Sequence, residues 1–436
     1  MQFRAERRWL ASLLILSSGL SLAAQQPPSA PPQNPVIHVD NGPNSATAQK
    51  AHYVVLVSLD GFRWDYAVRD GASHLLAIGK QGVWAPAGMI PSYPSLTFPN
   101  HYTIVSGLYP EHHGLVANSF YDPVRQARYA SSDPQAVTDG SWYGGIPLWS
   151  LAESQGMRTA CLFWPGSEAK IAGFRPTYSM QFDNKLDDEV RIQQVLSWLR
   201  LPEADRPHFI ALYYAEPDHE GHQFGPEAEE TKAAVRKVDG LIGELKAGLD
   251  ATGLPIDLVV VSDHGMVKSE GGWINLDQFA DLTGFETAGS LLYGKSEEDR
   301  ARVYNQLKNA SEKFMVYRRK DVPAALNYNL NPREGDPVVV ATGPYAIRAH
   351  APAADRKDAP PTLGMHGFDP RKMAQMRASF FAAGPDIAAG KTVAPFENVN
   401  LYPWLAHLLG LAPQKNDGTL NVLAGTLRDN GIDPSK

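Results

Sequence analysis

Three apolar runs that each lead to an aspartate are the feature that most restricts the fold of this chain. The runs are residues 53–59, 209–214 and 257–262, and the aspartates that follow them are Asp60, Asp218 and Asp263. Continuous apolar runs rich in β-branched and aromatic residues are typical of strands buried on both faces of a parallel sheet. Because sites of such sheets form outside the carboxyl ends of the strands, we expect the three carboxylates to lie close together.

Helical patterns separate these runs. The longest covers residues 227–249, where apolar residues recur with helical spacing, and shorter ones cover 71–82 and 187–200. Further strands are predicted at 159–164 and 379–384. This alternation predicts an α/β fold with a mostly parallel central sheet flanked by helices. The less regular stretch of about 267–345 predicts a smaller inserted cap region.

The first 50 residues are predicted to lie outside the folded domain. Arg4, Arg7 and Arg8 precede an apolar run at residues 9–22. Small residues follow it, so residues 1–24 are predicted to be a secretory signal peptide. An uncleaved anchor is the alternative, although the run is shorter than the roughly 20 residues of a spanning helix. Residues 25–50, rich in Pro, Gln, Ser and Asn, are predicted to be a flexible linker, and 51–425 the folded domain.

Cysteine content and charge restrict the compartment and the partners. Cys161 is the only cysteine, so no intramolecular disulfide can form. A secreted chain of this size without disulfides favours a bacterial periplasm over a eukaryotic extracellular space. The net charge of -7 argues against a general nucleic-acid surface, and no stable nucleic-acid complex is expected. No membrane span is expected in the mature protein.

The Pro-rich stretch 91–101 carries a candidate nucleophile. Its three prolines restrict φ, and the residues before them are kept out of the α region. We therefore expect a stiff loop that holds Thr97 in a set direction. On its own this pattern is that of an ordinary Pro/Ser turn, and only the nearby aspartates make the Thr97 hydroxyl a candidate for activation.

The metal-ligand candidates are three carboxylates and three imidazoles. His222 lies four residues after Asp218, His264 follows Asp263, and His366 lies between glycine-containing turns. Taken singly, each of these candidates is as consistent with a solvated loop or a chance pair of residues as with a metal ligand. Six ligands are too many for one tetrahedral ion, so two ions with three protein ligands and an open position each fit better. Zinc suits this donor set, with manganese the alternative.

Thr97 would then be activated by a metal. Coordination lowers the pKa of a hydroxyl, and attack on phosphorus would give a phospho-threonine that water then hydrolyses. Two Zn²⁺ against three carboxylates leave about +1 before the alkoxide forms, which attracts an anionic phosphate.

Seven sequence motifs, in order across residues 53–369, resemble those of the nucleotide pyrophosphatase/phosphodiesterases of the alkaline phosphatase superfamily. They are 57–63, 95–101, 107–110 with Gly114, 163–168, 216–218 with Gly221 and His222, 262–266, and 364–368. The resemblance implies an alkaline-phosphatase-like sheet and makes residues 51–425 a catalytic phosphodiesterase domain. Vertebrate members carry disulfide-rich appendages and a nuclease-like domain, so this chain resembles a minimal bacterial member.

The resemblance also implies roles for single residues. One zinc would be held by Asp218, His222 and His366, and the other by Asp60, Asp263, His264 and Thr97. Asn118 would donate to a phosphate oxygen. A slot for the nucleoside would be formed by Phe98, Tyr178 and Tyr213.

The expected activity is hydrolysis of nucleotide phosphodiester and pyrophosphate bonds with release of a nucleoside 5′-monophosphate. A choline-phosphate lipid phosphodiesterase would share the metal ligands and differ only in the slot. A phosphomonoesterase would need an arginine on the phosphate, and the Thr97 loop contains none. A sulfatase is disfavoured because its nucleophile is a modified Cys or Ser. A binding protein with a degenerate site is the non-enzymatic alternative.

Overall fold

The structure is a computed structural model that describes residues 34–352 and 358–428. Within those residues, nine strands form one central sheet. In chain order they are β1 Ile37–His38, β2 Tyr53–Leu59, β3 Val83–Trp84, β4 Thr159–Leu162, β5 Tyr178–Met180, β6 Phe209–Tyr214, β7 Ile256–Val261, β8 Phe380–Ala383 and β9 Lys391–Thr392. Their order in the sheet is β1-β5-β4-β6-β2-β7-β8-β3-β9.

The five strands β5, β4, β6, β2 and β7 are parallel, whereas β8 runs antiparallel to β7. The three long apolar runs are therefore the three adjacent strands β6, β2 and β7, as their composition predicts. Ser58 pairs with Tyr213 on one side and with Val261 on the other, so the carboxyl ends of the three strands are level. The predicted fold class, a mostly parallel α/β sheet, is confirmed.

Both faces of the sheet are covered by helices, which explains why its central strands do not alternate. Along β2, Val54 and Leu56 belong to one buried apolar cluster, while Val55 and Val57 belong to another. The helices are α1 Tyr66–Arg69, α2 Ser73–Gln81, α3 Thr97–Ser106, α4 Pro110–His113, α5 Pro134–Thr138, α6 Leu148–Ser154, α7 Asp188–Leu199, α8 Asp218–Phe224, α9 Glu229–Ala251, α10 Glu297–Leu307 and α11 Leu401–Leu408. Helices α2, α7 and α9 contribute to the second cluster, and α3, α6 and α11 to the first.

Residues 267–349 form the insertion between β7 and β8. Its strand pairs are Ile274–Asn275 with Ile347–Arg348, Phe285–Ala288 with Leu291–Gly294, and Phe314–Tyr317 with Val338–Ala341, while Val267–Lys268 pairs with Gly364–Met365 outside this range. A third apolar cluster, which includes Leu292, Val303 and Phe314, packs between these strands and α10. Since Ala349 belongs to it, the insertion extends slightly beyond the predicted residue 345. A further hairpin, Ser119–Asp122 with Ala127–Ala130, precedes β4.

The predicted flexible linker at 25–50 is wrong for its second part. Ile37 and His38 pair with Ser179 and Tyr178 as the edge of the sheet. Asn44 is buried, and its side-chain amide donates to the carbonyl oxygens of Glu203 at 2.9 Å and Arg206 at 2.7 Å. Strand pairing and the hydrogen bonds of a buried amide hold this segment, and neither can be predicted from its amino-acid composition. Residues 25–33 and the predicted signal peptide, 1–24, lie outside the described residues.

Candidate active site

The ends of the three central strands bring the predicted aspartates together. Asp218 donates its backbone N–H to the carbonyl oxygen of Asp60 at 3.1 Å. Gly61 donates its backbone N–H to Oδ1 of Asp263, also at 3.1 Å. Gly61 has φ of +66°, and a Cβ there would lie 2.9 Å from the Asp218 side chain, so only glycine permits this close approach.

The Pro-rich stretch is stiff, but Thr97 does not lie inside the loop. Helix α3 begins at Thr97, so the second half of the stretch 91–101, which was predicted to be a loop, is helical. Pro99 lies in the first turn, where no backbone donor is needed, so it does not prevent the helix from starting earlier. Asn100 braces the loop: Nδ2 donates to the carbonyl oxygens of Pro94 and Leu96, and Oδ1 accepts the N–H of Ser92 at 2.8 Å.

The three candidate histidines all have the same tautomer fixed by the backbone. Nδ1 of His222 faces the carbonyl oxygen of Gly364 at 2.8 Å, that of His366 faces Ser95 at 2.9 Å, and that of His264 faces Gly265 at 3.0 Å. A carbonyl can only accept, so each Nδ1 carries a proton, and in the neutral imidazole each Nε2 then presents a lone pair. Such Nδ1–H to carbonyl bonds are the usual support of metal-ligating histidines.

The three Nε2 atoms and the carboxylates point at one another. The Nε2 atoms of His222 and His366 are 3.1 Å apart. Those two atoms lie 3.4 Å and 3.6 Å from the Asp218 oxygens, and His264 Nε2 lies 3.0 Å from Asp263 Oδ2 and 3.6 Å from Asp60 Oδ1.

Among the described residues, Asp60 Oδ1 and Asp218 Oδ1 are buried and accept no hydrogen bond. Facing lone pairs and unpartnered buried carboxylate oxygens are unfavourable unless a cation lies among them. The donor set therefore fits metal binding, and Asp218, His222 and His366 form one compact triad.

The pKa shifts of the site reflect three largely buried carboxylates that lie close together. Burial, together with the charges of Asp263 and Asp218, raises the pKa of Asp60 well above its usual value. Burial also raises the pKa of Asp218. Asp263 differs: burial opposes its ionisation, but His264 and His101 hold its pKa well below the usual value. Burial lowers the pKa of His366 well below its usual value, which keeps this imidazole neutral.

His101 is a residue of this site that sequence reasoning missed. It is fully buried, one helical turn after Thr97. Its Nδ1 lies 2.9 Å from the Thr97 carbonyl oxygen and 3.4 Å from Asp263 Oδ2, and its Nε2 lies 2.8 Å from Ser58 Oγ. Both nitrogens are thus occupied, so His101 positions the start of α3 against Asp263. Its spacing of four residues from Thr97 was the available signal.

The Thr97 hydroxyl lies beside the cluster, with Asn118 next to it. Thr97 Oγ1 is 3.4 Å from His264 Nε2. Leu96, which precedes α3, has no side-chain oxygen to cap the helix, and Asn118 Oδ1 instead accepts the N–H of Phe98 at 2.9 Å. That bond fixes the Asn118 amide through its oxygen, which leaves Nδ2 as its donor.

An aromatic cavity of about 360 Å³, the first cavity, opens next to Thr97. Phe98 and Tyr213 line it, as do Phe182, Trp164 and Glu168. The Tyr213 hydroxyl donates to Asp60 Oδ2 at 2.6 Å, so this side chain belongs both to the cavity wall and to the carboxylate cluster.

Tyr178 is not brought to this cavity. Its ring stacks on His38 with centroids 5.3 Å apart, and its hydroxyl donates to the carbonyl oxygen of Asp205 at 3.1 Å. The reason is that Tyr178 begins β5, whereas the site lies at the carboxyl ends of the strands. Phe182, two residues past the end of β5, is the aromatic residue that this part of the chain supplies instead.

A mostly parallel α/β sheet with a carboxylate–imidazole cluster and a hydroxyl at its carboxyl edge defines a metal-dependent hydrolase. The chain matches the family model "Type I phosphodiesterase / nucleotide pyrophosphatase" over residues 54–369. It therefore belongs to that family and is an enzyme of the nucleotide pyrophosphatase/phosphodiesterase class.

Relatives from several organisms support this membership. An uncharacterized pyrophosphatase/phosphodiesterase of Schizosaccharomyces pombe is 36% identical over 398 residues, which cover 86% of this chain and 80% of that protein. Ectonucleotide pyrophosphatase/phosphodiesterase family member 7 of Rattus norvegicus is 33% identical over 402 residues, or 87% and 88% of the two chains. Family member 1 of Homo sapiens is 32% identical over 410 residues, which are 89% of this chain but 43% of that protein.

Solved structures of the family have the same fold. Murine ectonucleotide pyrophosphatase/phosphodiesterase 5, as an inactive threonine-to-alanine variant in complex with AMP, superposes with a TM-score of 0.80 and 28% identity. The match covers 86% of this chain and 100% of that chain. In residues 34–352 and 358–428, no helix combines the length and apolar character that a membrane crossing requires.

Proposed function

We propose that this chain is a two-zinc phosphodiesterase that hydrolyses nucleotide phosphodiester and pyrophosphate bonds through a phospho-threonine on Thr97. The products would be a nucleoside 5′-monophosphate and the leaving group. One observation carries the proposal: the Thr97 hydroxyl lies 3.4 Å from His264 Nε2, between the carboxylate–imidazole cluster and the first cavity.

In this proposal Asp218, His222 and His366 hold one ion, and Asp60, Asp263 and His264 hold the other with Thr97. Zinc fits a set of imidazole nitrogens and carboxylate oxygens, and two ions divide six ligands into two sites with an open position each. When bound, such ions lower the pKa of a hydroxyl and neutralise charge on a phosphate.

The protein residues supply the nucleophile and its orientation. Thr97 Oγ1 forms a bond to phosphorus as the bond from phosphorus to the leaving oxygen breaks, and the proton that Thr97 loses is balanced by one that the leaving group gains. Water then cleaves the Oγ1–phosphorus bond and restores the hydroxyl. Asn118 Nδ2 donates to a non-bridging oxygen, and the first turn of α3 directs its positive end toward the phosphate.

The first cavity would hold the nucleoside. Phe98 and Tyr213 offer aromatic faces on which a base can stack, and Phe182, whose ring centroid lies 6.3 Å from that of Tyr213, extends this wall. The AMP complex of the murine relative supports a nucleotide as substrate, and the inactivity of its threonine-to-alanine variant supports a threonine nucleophile.

The choline-phosphate lipid alternative is favoured by one feature of the same cavity. Glu168 lies in it together with aromatic side chains that include Trp164, and aromatic rings with a carboxylate suit a quaternary ammonium.

A phosphomonoesterase is disfavoured because Arg63, the arginine nearest to Asp60 in sequence, is already paired. It donates to Asp65 at 2.6 Å, to Glu227 at 3.1 Å and to the carbonyl oxygen of Met266 at 3.1 Å.

A substrate panel tests the proposal. The zinc-loaded mature chain would be compared on thymidine 5′-monophosphate p-nitrophenyl ester, p-nitrophenyl phosphate and a choline-phosphate lipid by kcat/KM, with zinc content measured in parallel. We expect the highest kcat/KM on the nucleotide diester. A chain that binds no zinc and is not activated by it would refute the metal mechanism, and a preference for the lipid would replace the substrate class.

We infer from the signal pattern at 1–24 that the protein is exported, to a bacterial periplasm or to the medium. The names of the relatives as ectonucleotide enzymes support export. Fractionation of the producing cells tests this, since retention of the protein with the cytosol would refute it.

A further inference from the structure

A second cavity of about 360 Å³ adjoins the site on the side of Asn118 and lies between the core and the insertion. Asn118 and His366, both residues of the candidate active site, are among its lining residues. The insertion contributes Trp273, Leu291 and Tyr345, and the core contributes Tyr93 among others. None of the described residues that line it is Asp, Glu, Lys or Arg. The site therefore opens into two cavities.

The two cavities meet at the start of α3. Thr97 and Phe98 line the first cavity, while Leu96 and Asn118 line the second. The hydrogen bond from the Phe98 N–H to Asn118 Oδ1 thus spans the boundary between them. A phosphodiester carries two organic groups on one phosphorus, and a phosphate held by Thr97 and Asn118 would have one cavity for each.

The polar side chains of the first cavity indicate that the nucleoside binds there rather than in the second cavity. That cavity contains Glu168, Ser132 and Gln181, side chains that can hydrogen-bond a base or a ribose. The second cavity is lined mainly by aliphatic and aromatic side chains. An uncharged organic group gains free energy when it is buried there, because the described side chains that line this cavity are mostly apolar and include no Asp, Glu, Lys or Arg.

Ring packing and hydrogen bonds hold the residues that line the second cavity in place. Tyr328 packs edge-on against Tyr93 with ring centroids 5.1 Å apart, and its hydroxyl donates to the carbonyl oxygen of Val116 at 3.0 Å. On the insertion side, Ala349 donates its N–H to the carbonyl oxygen of Gly289, at the turn that carries Leu291, at 2.8 Å. A pre-formed apolar wall requires little ordering when a ligand enters.

We propose that the second cavity is a leaving-group site that selects diesters whose leaving group is an apolar alcohol. The proposal rests on the proposed function, because it assigns the other half of the same substrate. In the reaction, the leaving oxygen departs with its apolar group into this cavity and gains a proton as Thr97 Oγ1 loses one.

The test compares the ethyl and octyl esters of adenosine 5′-monophosphate. The two leaving alcohols have nearly the same acidity, so a difference in kcat/KM reports contacts to the alkyl chain. We expect the octyl ester to have a kcat/KM at least about 10-fold higher, a modest part of what burial of six methylenes can supply. In Leu291→Asp the octyl-to-ethyl ratio should fall toward one. Tyr345→Ala should give the same fall if Leu291→Asp does not fold.

Phe182→Ala, on the first cavity, is the matched control. It should lower kcat/KM for both esters and leave their ratio unchanged, because the adenosine is the same in both. Equal kcat/KM for the two esters in the parent enzyme would overturn the leaving-group site while leaving the phosphodiesterase in place. Failure of the zinc-loaded enzyme to hydrolyse either ester would overturn both proposals.

Discussion

The Tyr213 hydroxyl provides a sharp test of the proposed metal site, because it can be removed without removing the ring. The hydroxyl donates to Asp60 Oδ2 at 2.6 Å, while Oδ1 of the same carboxylate faces the cluster with no hydrogen bond from the described residues. In Tyr213→Phe, Asp60 loses its neutral donor, and the aromatic wall beside Phe98 remains.

The size of the effect follows from this geometry. A hydrogen bond to a charged group contributes about 1.5–3 kcal/mol, and loss of an outer partner of a metal ligand costs about 10- to 100-fold in metal affinity. These two ranges agree, since about 1.4 kcal/mol corresponds to a factor of ten. We therefore expect Tyr213→Phe to weaken zinc binding by about 10- to 100-fold. At saturating zinc, KM for a nucleotide diester should change little because the stacking face is kept.

A competition titration with a chromophoric chelator measures the zinc affinity, and kcat and KM are measured at saturating zinc. Tyr214→Phe is the matched control: Tyr214 is the next residue, is also buried, and its hydroxyl donates to the carbonyl oxygen of Asp188 at 3.5 Å and not to a carboxylate of the cluster. An unchanged zinc affinity in Tyr213→Phe, or the same loss in both variants, would show that Asp60 does not bind the ion as proposed.

Three further predictions address the nucleophile, the phosphate donor and the interior. Thr97→Ala should abolish turnover and keep both ions, and activity above a few per cent of the parent would indicate direct attack by water. Asn118→Asp keeps the oxygen that caps Phe98 but loses the Nδ2 donor, so it should lower kcat by about 100-fold or more without unfolding α3; an unchanged kcat would remove Asn118 from the mechanism. Burial raises the pKa of Glu334 from 4.5 to about 9, so the folded state retains a proton that the unfolded chain releases, and stability is lost as pH rises between these values. In urea titrations at pH 8, the free energy of unfolding of Glu334→Gln should exceed that of the parent, by a few kcal/mol at most. Near pH 5 the two free energies should be similar. A difference that does not grow with pH would contradict this.

The sheet and the convergence of its aspartates were predictable because burial acts on whole strands. Val54 and Val55 face opposite clusters, so a strand such as β2 must be mostly apolar on both faces, and its sequence shows this as a nearly continuous apolar run. Asp60 and Asp263 lie one and two residues past their strands, so strand direction places them, whereas Asp218 is four residues past β6 and begins helix α8.

Other features depend on single contacts that leave no periodic pattern. At the start of helix α3, Asn118, which lies 20 residues after Phe98 in the sequence, accepts the Phe98 N–H and so replaces the missing N-cap side chain. Asn44 anchors the segment before β2 through backbone carbonyls, although its neighbours have the composition of a linker. Tyr178 begins β5, which spans only three residues, and Phe182 lies two residues after its end. Which of these two aromatic residues reaches the cavity therefore depends on where strand pairing stops.

The charge of the proposed site gives a reason for a diester substrate. Two divalent ions and three aspartates sum to about +1 before Thr97 loses its proton, so the charge of a bound diester monoanion is matched and that of a monoester dianion is not. The remaining phosphate donor, Asn118, is neutral, and Arg63 is committed to Asp65 and Glu227. A monoester would therefore bring a charge that neither the ions nor these side chains balance. Selection between diesters would then rest on the two cavities, which distinguish the groups on phosphorus rather than the phosphate itself.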